Sequence, residues 1–109
     1  MSSSTGRIRA LNDALRSTGR GGTTAITAGI AALPDDNQAA IIAAVRGFTA
    51  FTPANDPYGE HDCAVLEAAG QRILFKIDYY NLRLCGPSAD PVDPSVTHRV
   101  LTIMLSDEY

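Results

Sequence analysis

The stretch that decides the fold is His61-Asp62-Cys63-Ala64-Val65-Leu66-Glu67-Ala68-Ala69-Gly70-Gln71-Arg72-Ile73-Leu74-Phe75-Lys76-Ile77-Asp78-Tyr79-Tyr80. Two alternating runs, 61–68 and 71–80, flank Ala69-Gly70, a two-residue turn of the hairpin kind. That turn sets a register in which Glu67 faces Arg72, Val65 faces Leu74, Cys63 faces Lys76 and His61 faces Asp78. The other face pairs Leu66 with Ile73, Ala64 with Phe75 and Asp62 with Ile77. Slipping by one residue would put Glu67 opposite Ile73 and lose both opposite-charge pairs, so side-chain pairing itself selects this register. Alanine at the first turn position is the weak point, because it tolerates positive φ poorly.

Outward from the hairpin, two helices are expected. Ile8, Leu11 and Leu15 recur at helical spacing within 5–17, and Gly19, Gly21 and Gly22 end that helix. Thr23 to Ala28 reads as a short strand. A second helix follows Pro34, with Asp35 and Gln38 as a capping box, Ile41, Ile42 and Val45 as its buried face, and Gly47 as its stop. Residues 52–60 are a polar loop, and 84–95 a loop broken by Gly86, Pro87, Pro91 and Pro94. For 97–105, Asp93-Pro94 could start a helix. Val100, Thr102 and Ile103 favour a strand, which is the reading adopted. The expected architecture is α+β: one domain over 1–109, with residues 1–6 disordered and two helices on one face of a small antiparallel sheet built around a central hairpin. Its core would hold Leu11, Leu15, Ile41, Ile42, Val45, Leu66, Ile73, Phe75, Ile77, Leu101 and Ile103.

Charge is unevenly spread over a net −3. Arg7, Arg9, Arg16 and Arg20 against Asp13 leave the first twenty residues at +3, and the remainder stands at −6. An acidic body is a poor match for a phosphate backbone, so nucleic acid is not the expected partner. The arginine-rich first helix is the one candidate for it. An acidic body suits a basic protein partner instead. No apolar run approaches a membrane span of about 18 residues. Met1 to Gly22 has no apolar signal core, so a cytoplasmic setting is expected. Cys63 and Cys85 fit neither a disulfide framework nor a four-ligand zinc site.

Chemistry concentrates in Asn55-Asp56-Pro57-Tyr58-Gly59-Glu60-His61-Asp62. The register brings His61 to Asp78, with Tyr80 on the same strand face. A carboxylate opposite an imidazole fixes its tautomer, which is how a general base is oriented. The candidate catalytic residues are therefore His61, Asp78 and Glu60. The candidate binding residues are Asn55, Asp56, Tyr58, Glu60, His61, Asp78 and Tyr80. The plainer reading is an ion pair closing the open end of a hairpin. No nucleophile elbow, phosphate loop or dinucleotide fingerprint accompanies these residues. A metal would have to draw on Glu60, His61, Asp62, Asp78 and His98. Adjacent strand residues such as His61 and Asp62 point to opposite faces, so neither a metal nor another cofactor is expected.

The segments Asn55 to Asp62, Lys76-Ile77-Asp78-Tyr79-Tyr80, and Arg99 to Leu105 with Glu108-Tyr109 resemble an uncharacterised domain-of-unknown-function family. Its members are small proteobacterial proteins, often on plasmids and genomic islands. The resemblance covers residues 10–109 and makes 55–62 and 76–80 family-defining positions. Phe75 stands where the family more often shows Trp, and Cys63 where it often shows Phe. The resemblance implies a genomic setting of conjugation, defence and anti-defence, and no activity.

Three functions follow as expectations. The first is a non-enzymatic interaction module binding another protein, such as an accessory or inhibitor protein of mobile genetic elements. The second is a small hydrolase-like or metal-assisted enzyme using His61, Asp78 and Glu60. The third is nucleic-acid binding through the first helix. A deep pocket at His61 would favour the second, and a continuous positive stripe on that helix the third. A flat acidic or aromatic patch would favour the first.

Overall fold

The computed structural model describes residues 4–109. Its elements are α1 (Ser4–Thr18), β1 (Gly22–Ile26), α2 (Ala28–Ala31), α3 (Asp35–Arg46), β2 (Cys63–Ala68), β3 (Gln71–Tyr80), β4 (His98–Leu105) and a closing 3-10 turn (Ser106–Glu108). Residues 4–6, expected to be disordered, form the first turn of α1; the rest of that expectation, residues 1–3, lies outside the described residues.

The hairpin forms in the register read from its side chains, from Cys63 opposite Lys76 to Ala68 opposite Gln71. Ala69 (φ 53°) and Gly70 (φ 73°) both adopt left-handed backbone, as a two-residue turn matching strand twist requires. Residues 98–105 are a strand, paired antiparallel to β3 along its whole length. The sheet order is β1-β4-β3-β2, so the hairpin supplies one inner strand and one edge strand. The sheet is mixed, because β1 runs parallel to β4. Gly22 sits where a Cβ would stand 2.3 Å from the Arg99 carbonyl oxygen, so this strand pair closes only on a glycine.

Alternation puts Ala64, Ile73, Phe75, Ile77, Leu101 and Ile103 on one sheet face. All are buried there with Leu15 of α1, Ile30 of α2 and Ile41 and Val45 of α3. The helices therefore cover a single face, and the result is α+β. Ile42 and Leu66 are half-buried against this core, whereas Leu11 is half-buried and outside it. Ile30 escaped the sequence reading because α2 is only four residues long and follows directly on β1.

The expected capping box on α3 does not form. Pro34 is the N-cap, and the Gln38 side chain donates backwards to the carbonyls of Ala31 (3.1 Å) and Leu33 (2.8 Å). Gln38 thereby ties α3 to the end of α2.

Candidate functional site

The loop before β2 is built by short-range polar chemistry. Asn55 accepts from the Thr52 N–H at 2.8 Å and donates to the Ala50 carbonyl at 3.0 Å. The Asp56 N–H donates to Thr52 O (2.8 Å), and the Gly59 N–H to Asp56 O (3.1 Å). Gly59 takes positive φ (70°), and its carbonyl accepts from Arg9 Nε of α1 at 2.6 Å. These bonds fold the loop back against the first helix.

Asp56 is buried by this folding and accepts the His61 N–H at 3.2 Å. His61 itself has φ 56°, a left-handed conformation that turns its ring off the strand direction and towards the helices. The ring stacks on Phe51, with centroids 3.9 Å apart and planes within 5°. Its Nδ1 lies 2.8 Å from Asp13 Oδ1, and its Nε2 lies 3.6 Å from Asp56 Oδ2. A carboxylate only accepts, so Nδ1 carries a proton and donates to Asp13.

The same Asp13 oxygen accepts from Arg16 Nη2 at 2.8 Å. Arg16 is nearly fully buried. Its Nη1 donates to the carbonyls of Phe48 (2.9 Å), Arg46 (3.3 Å) and Val45 (3.5 Å), where α3 ends. A guanidinium at a helix C-terminus satisfies orphan carbonyls and meets the negative end of the helix dipole. One polar chain thus runs from the end of α3 through Arg16 and Asp13 to the His61 ring, and the His61 N–H continues it to Asp56.

A second network lies beside it. Asn12, fully buried, donates to Tyr79 Oη (2.7 Å) and the Glu60 carbonyl (3.0 Å), and accepts from Arg99 Nε (3.0 Å). Tyr79 donates to Glu60 Oε1 at 2.7 Å. Arg99 is 2% exposed, lies over the Tyr79 ring and donates to the Pro91 carbonyl. Among the described residues no carboxylate pairs with it directly, and burial lowers its pKa from the usual arginine value. Burial and the bond to Glu60 push the Tyr79 phenol well above its usual value. Burial also raises Asp62.

His61 does not pair with Asp78. The last hairpin bond is Ile77 N–H to Asp62 O (2.7 Å), and the positive φ at His61 breaks the alternation that would have set it opposite Asp78. Asp78 instead bonds Lys76 on the sheet face away from the helices, which holds the Lys76 ammonium above its usual value. Tyr80 lies on that same face, opposite His98, whose ring meets Thr23 at 2.7 Å. Glu60 is close in sequence to His61 but turned to Tyr79. The five potential metal ligands are therefore spread over two faces. Of the seven candidate binding residues, the fold gathers Asp56, Tyr58 and His61 around one cleft, and Asn55 shapes the loop that forms it.

That cleft has a volume of about 400 Å³ and is lined by Thr5, Arg9, Phe51 and Pro53 besides Asp56, Tyr58 and His61. It is open, with Tyr58 76% exposed at its rim. Asp13, Arg16 and Phe51 were missed in the sequence. The Asp13-x-x-Arg16 spacing, one turn apart on a helix, was the available signal for the first two. Both ring nitrogens of His61 face carboxylates, so the arrangement clamps α1 to the loop and to the entry of β2.

The family model described as "Protein of unknown function (DUF3768)" matches residues 26–108. No curated protein and no solved structure matches the chain.

Proposed function

The chain belongs to this family of unknown function, and from its own geometry we propose that it is a small non-enzymatic interaction module that binds another protein. The observation that carries the reading is the loop between β3 and β4. It exposes Leu82 (59%), Leu84 (52%) and Val96 (38%) on a backbone whose bonds are made internally. Asn81 N–H donates to Gly86 O (2.8 Å), Leu84 N–H to Asn81 O (3.0 Å), and Ser88 N–H to Tyr79 O (3.0 Å). Thr97 Oγ1 bonds Asp90 O and Ser88 Oγ, each at 2.7 Å. Exposed aliphatic groups on a preorganised loop bind with little ordering cost.

Two further features support this reading over its rivals. His61, Asp78 and Glu60 do not converge, so the dyad of the enzymatic reading is absent from the described residues. Arg9 and Arg16 spend donors on the protein's own carbonyls, which interrupts a positive stripe on α1. Neither Cys63 nor Cys85 is in a disulfide, which fits a reducing cytoplasm. No helix among the described residues is long and apolar enough to cross a membrane. An accessory or inhibitor role on mobile DNA is the setting that the family resemblance suggests.

The test is site-specific photo-crosslinking in the native host, with the photoreactive residue at Leu82 or, as a control, at the exposed Ala10 on α1. A discrete adduct from Leu82 alone, lost in the Leu84→Asp, Val96→Asp double variant, is expected. No adduct, or equal adducts from both positions, would overturn the proposal.

A further inference from the structure

Strand β2 is an edge of the sheet, and among the described residues nothing pairs with its outer side. The bond from Ile77 N–H to Asp62 O fixes which backbone groups face inward. In an antiparallel pair these bonds recur at every second residue. Ala64, Leu66 and Ala68 therefore bond to β3, while the N–H and C=O groups of Cys63, Val65 and Glu67 point out of the sheet. Natural edge strands are defended by proline, lysine, bulges or brevity. β2 has six residues, no proline or lysine, and an uninterrupted register. Val65 is 42% exposed on it.

We propose that a second copy of this chain occupies that edge, pairing β2 antiparallel to its counterpart about a two-fold axis at Val65. The three outward-facing residues are centred on Val65, so the edge is self-complementary. Val65 meets the partner's Val65, and Cys63 meets the partner's Glu67, forming about six backbone hydrogen bonds. Charge complements this register. Beyond the partner's small Cys63 lies the partner's Lys76, its cross-strand neighbour, whose ammonium spends one donor on its own Asp78 and has others to offer Glu67. The two Glu67 carboxylates fall at opposite ends of the interface. Between Gln38 and Arg46, the exposed residues of α3, which packs against β2, are Ala39, Ala40 and Ala43; none is long enough to hold a partner's helix off. This surface is separate from the 81–96 loop, so the two proposals stand or fall independently.

Sedimentation of the full chain should give twice its 11.5 kDa mass. Val65→Pro removes only an outward N–H, which edge strands tolerate, and should weaken the dimer by more than about tenfold. Should that variant fail to fold by circular dichroism, a cysteine trap decides. Facing residues of a hydrogen-bonded antiparallel pair have Cα atoms about 5.5 Å apart, within disulfide reach. In a Cys63→Ser, Cys85→Ser background, Val65→Cys should oxidise to a covalent dimer and Thr24→Cys, on the opposite edge, should not. A monomer up to millimolar concentration overturns the proposal. So does a dimer that survives Val65→Pro, or one that fails to cross-link through Val65→Cys. A monomer that binds an extended peptide at this edge would equally overturn the second copy as occupant.

Discussion

Asp13 Oδ1 lies 2.8 Å from His61 Nδ1 and accepts its N–H hydrogen bond across 48 residues of sequence. The same oxygen holds Arg16, whose guanidinium closes α3. A single carboxylate thus joins the first helix, the end of the third and the entry to the hairpin. This relationship accounts for a histidine in left-handed backbone. The strain is offset by the stack on Phe51, the ring's hydrogen bond to Asp13 and the backbone bond to Asp56.

Replacing His61 with Asn, which tolerates positive φ, removes the ring while keeping the backbone conformation. It should cost about 1–3 kcal/mol in a urea melt, since Asp13 loses its imidazole N–H donor and Phe51 loses its stacking partner. His61→Ala should cost more, because it adds the backbone penalty. A loss below about 0.5 kcal/mol for both variants would show that the clamp does not stabilise the fold.

The hairpin turn offers the opposite sign. Ala69 stands at φ 53° with a Cβ, and left-handed backbone costs an L-residue about 1–2 kcal/mol. Asn-Gly is the preferred pair for such a turn. Ala69→Asn should therefore raise stability by about 0.5–1 kcal/mol. An unchanged or lowered denaturation midpoint would argue against the turn geometry.

What the sequence disclosed follows from the range of the interactions concerned. The β2–β3 register was legible because it depends on residues that face each other across a two-residue turn, such as Glu67 and Arg72. The 98–105 strand was legible from alternation, although a helix start at Asp93-Pro94 competed. His61 was misplaced because alternation assumes extended backbone, and nothing in Glu60-His61-Asp62 announces a positive φ. Asp13 and Arg16 could be paired from their one-turn spacing, but their links to the end of α3 and to His61 span 29 to 48 residues and were hidden. The parallel pairing of β1 was hidden for the same reason: Gly22 to Ile26 is short, and its partner is β4. Leu11 fitted the helical stripe, but Asn12 and Arg16 occupy the buried positions beside Leu15 in its place. The buried face of α1 is partly polar, a pattern that hydrophobic periodicity does not detect.

Phe75 is fully buried, with Phe48 and Phe51 packed edge-on at 5.6 and 6.3 Å between ring centroids. Phe75→Ala should cost about 3–5 kcal/mol, a large part of the total stability of a small domain. It should also loosen the Phe51–His61 stack, because Phe51 rests on the deleted ring. A cost below about 1 kcal/mol by denaturant melt would contradict its place in the core.

Tyr79 joins Asn12 to Glu60 through one hydroxyl. Tyr79→Phe keeps the ring under Arg99 and removes only the oxygen. The stranded donor on Asn12 and acceptor on Glu60 should then cost about 1–3 kcal/mol. Tyr79→Phe combined with Asn12→Ala should cost less than the sum of the two single changes, because the partners share one network. Strict additivity in that cycle would show that the network is not coupled.

The C-terminal turn carries an acid-sensitive fastening. Glu108 Oε1 accepts from Thr27 Oγ1 (2.7 Å) and the Leu105 N–H (2.9 Å), and Oε2 accepts from the Gly29 N–H (3.1 Å). A Cβ on Gly29 would stand 2.4 Å from that carboxylate, so the close approach relies on glycine. The hydrogen bond from Thr27, followed by that from Leu105, holds the carboxyl below the usual glutamate pKa. Because the folded pKa is the lower one, the carboxylate's contribution is complete above the unfolded value and is lost as pH falls through the folded value. Glu108→Gln should therefore melt at a lower temperature than the parent at pH 7. The difference should shrink on acidification through the carboxylate range and vanish once the parent's Glu108 is protonated. A gap that stays constant down to the acid limit would mean that the ionised carboxylate is not what holds the turn to β1 and α2.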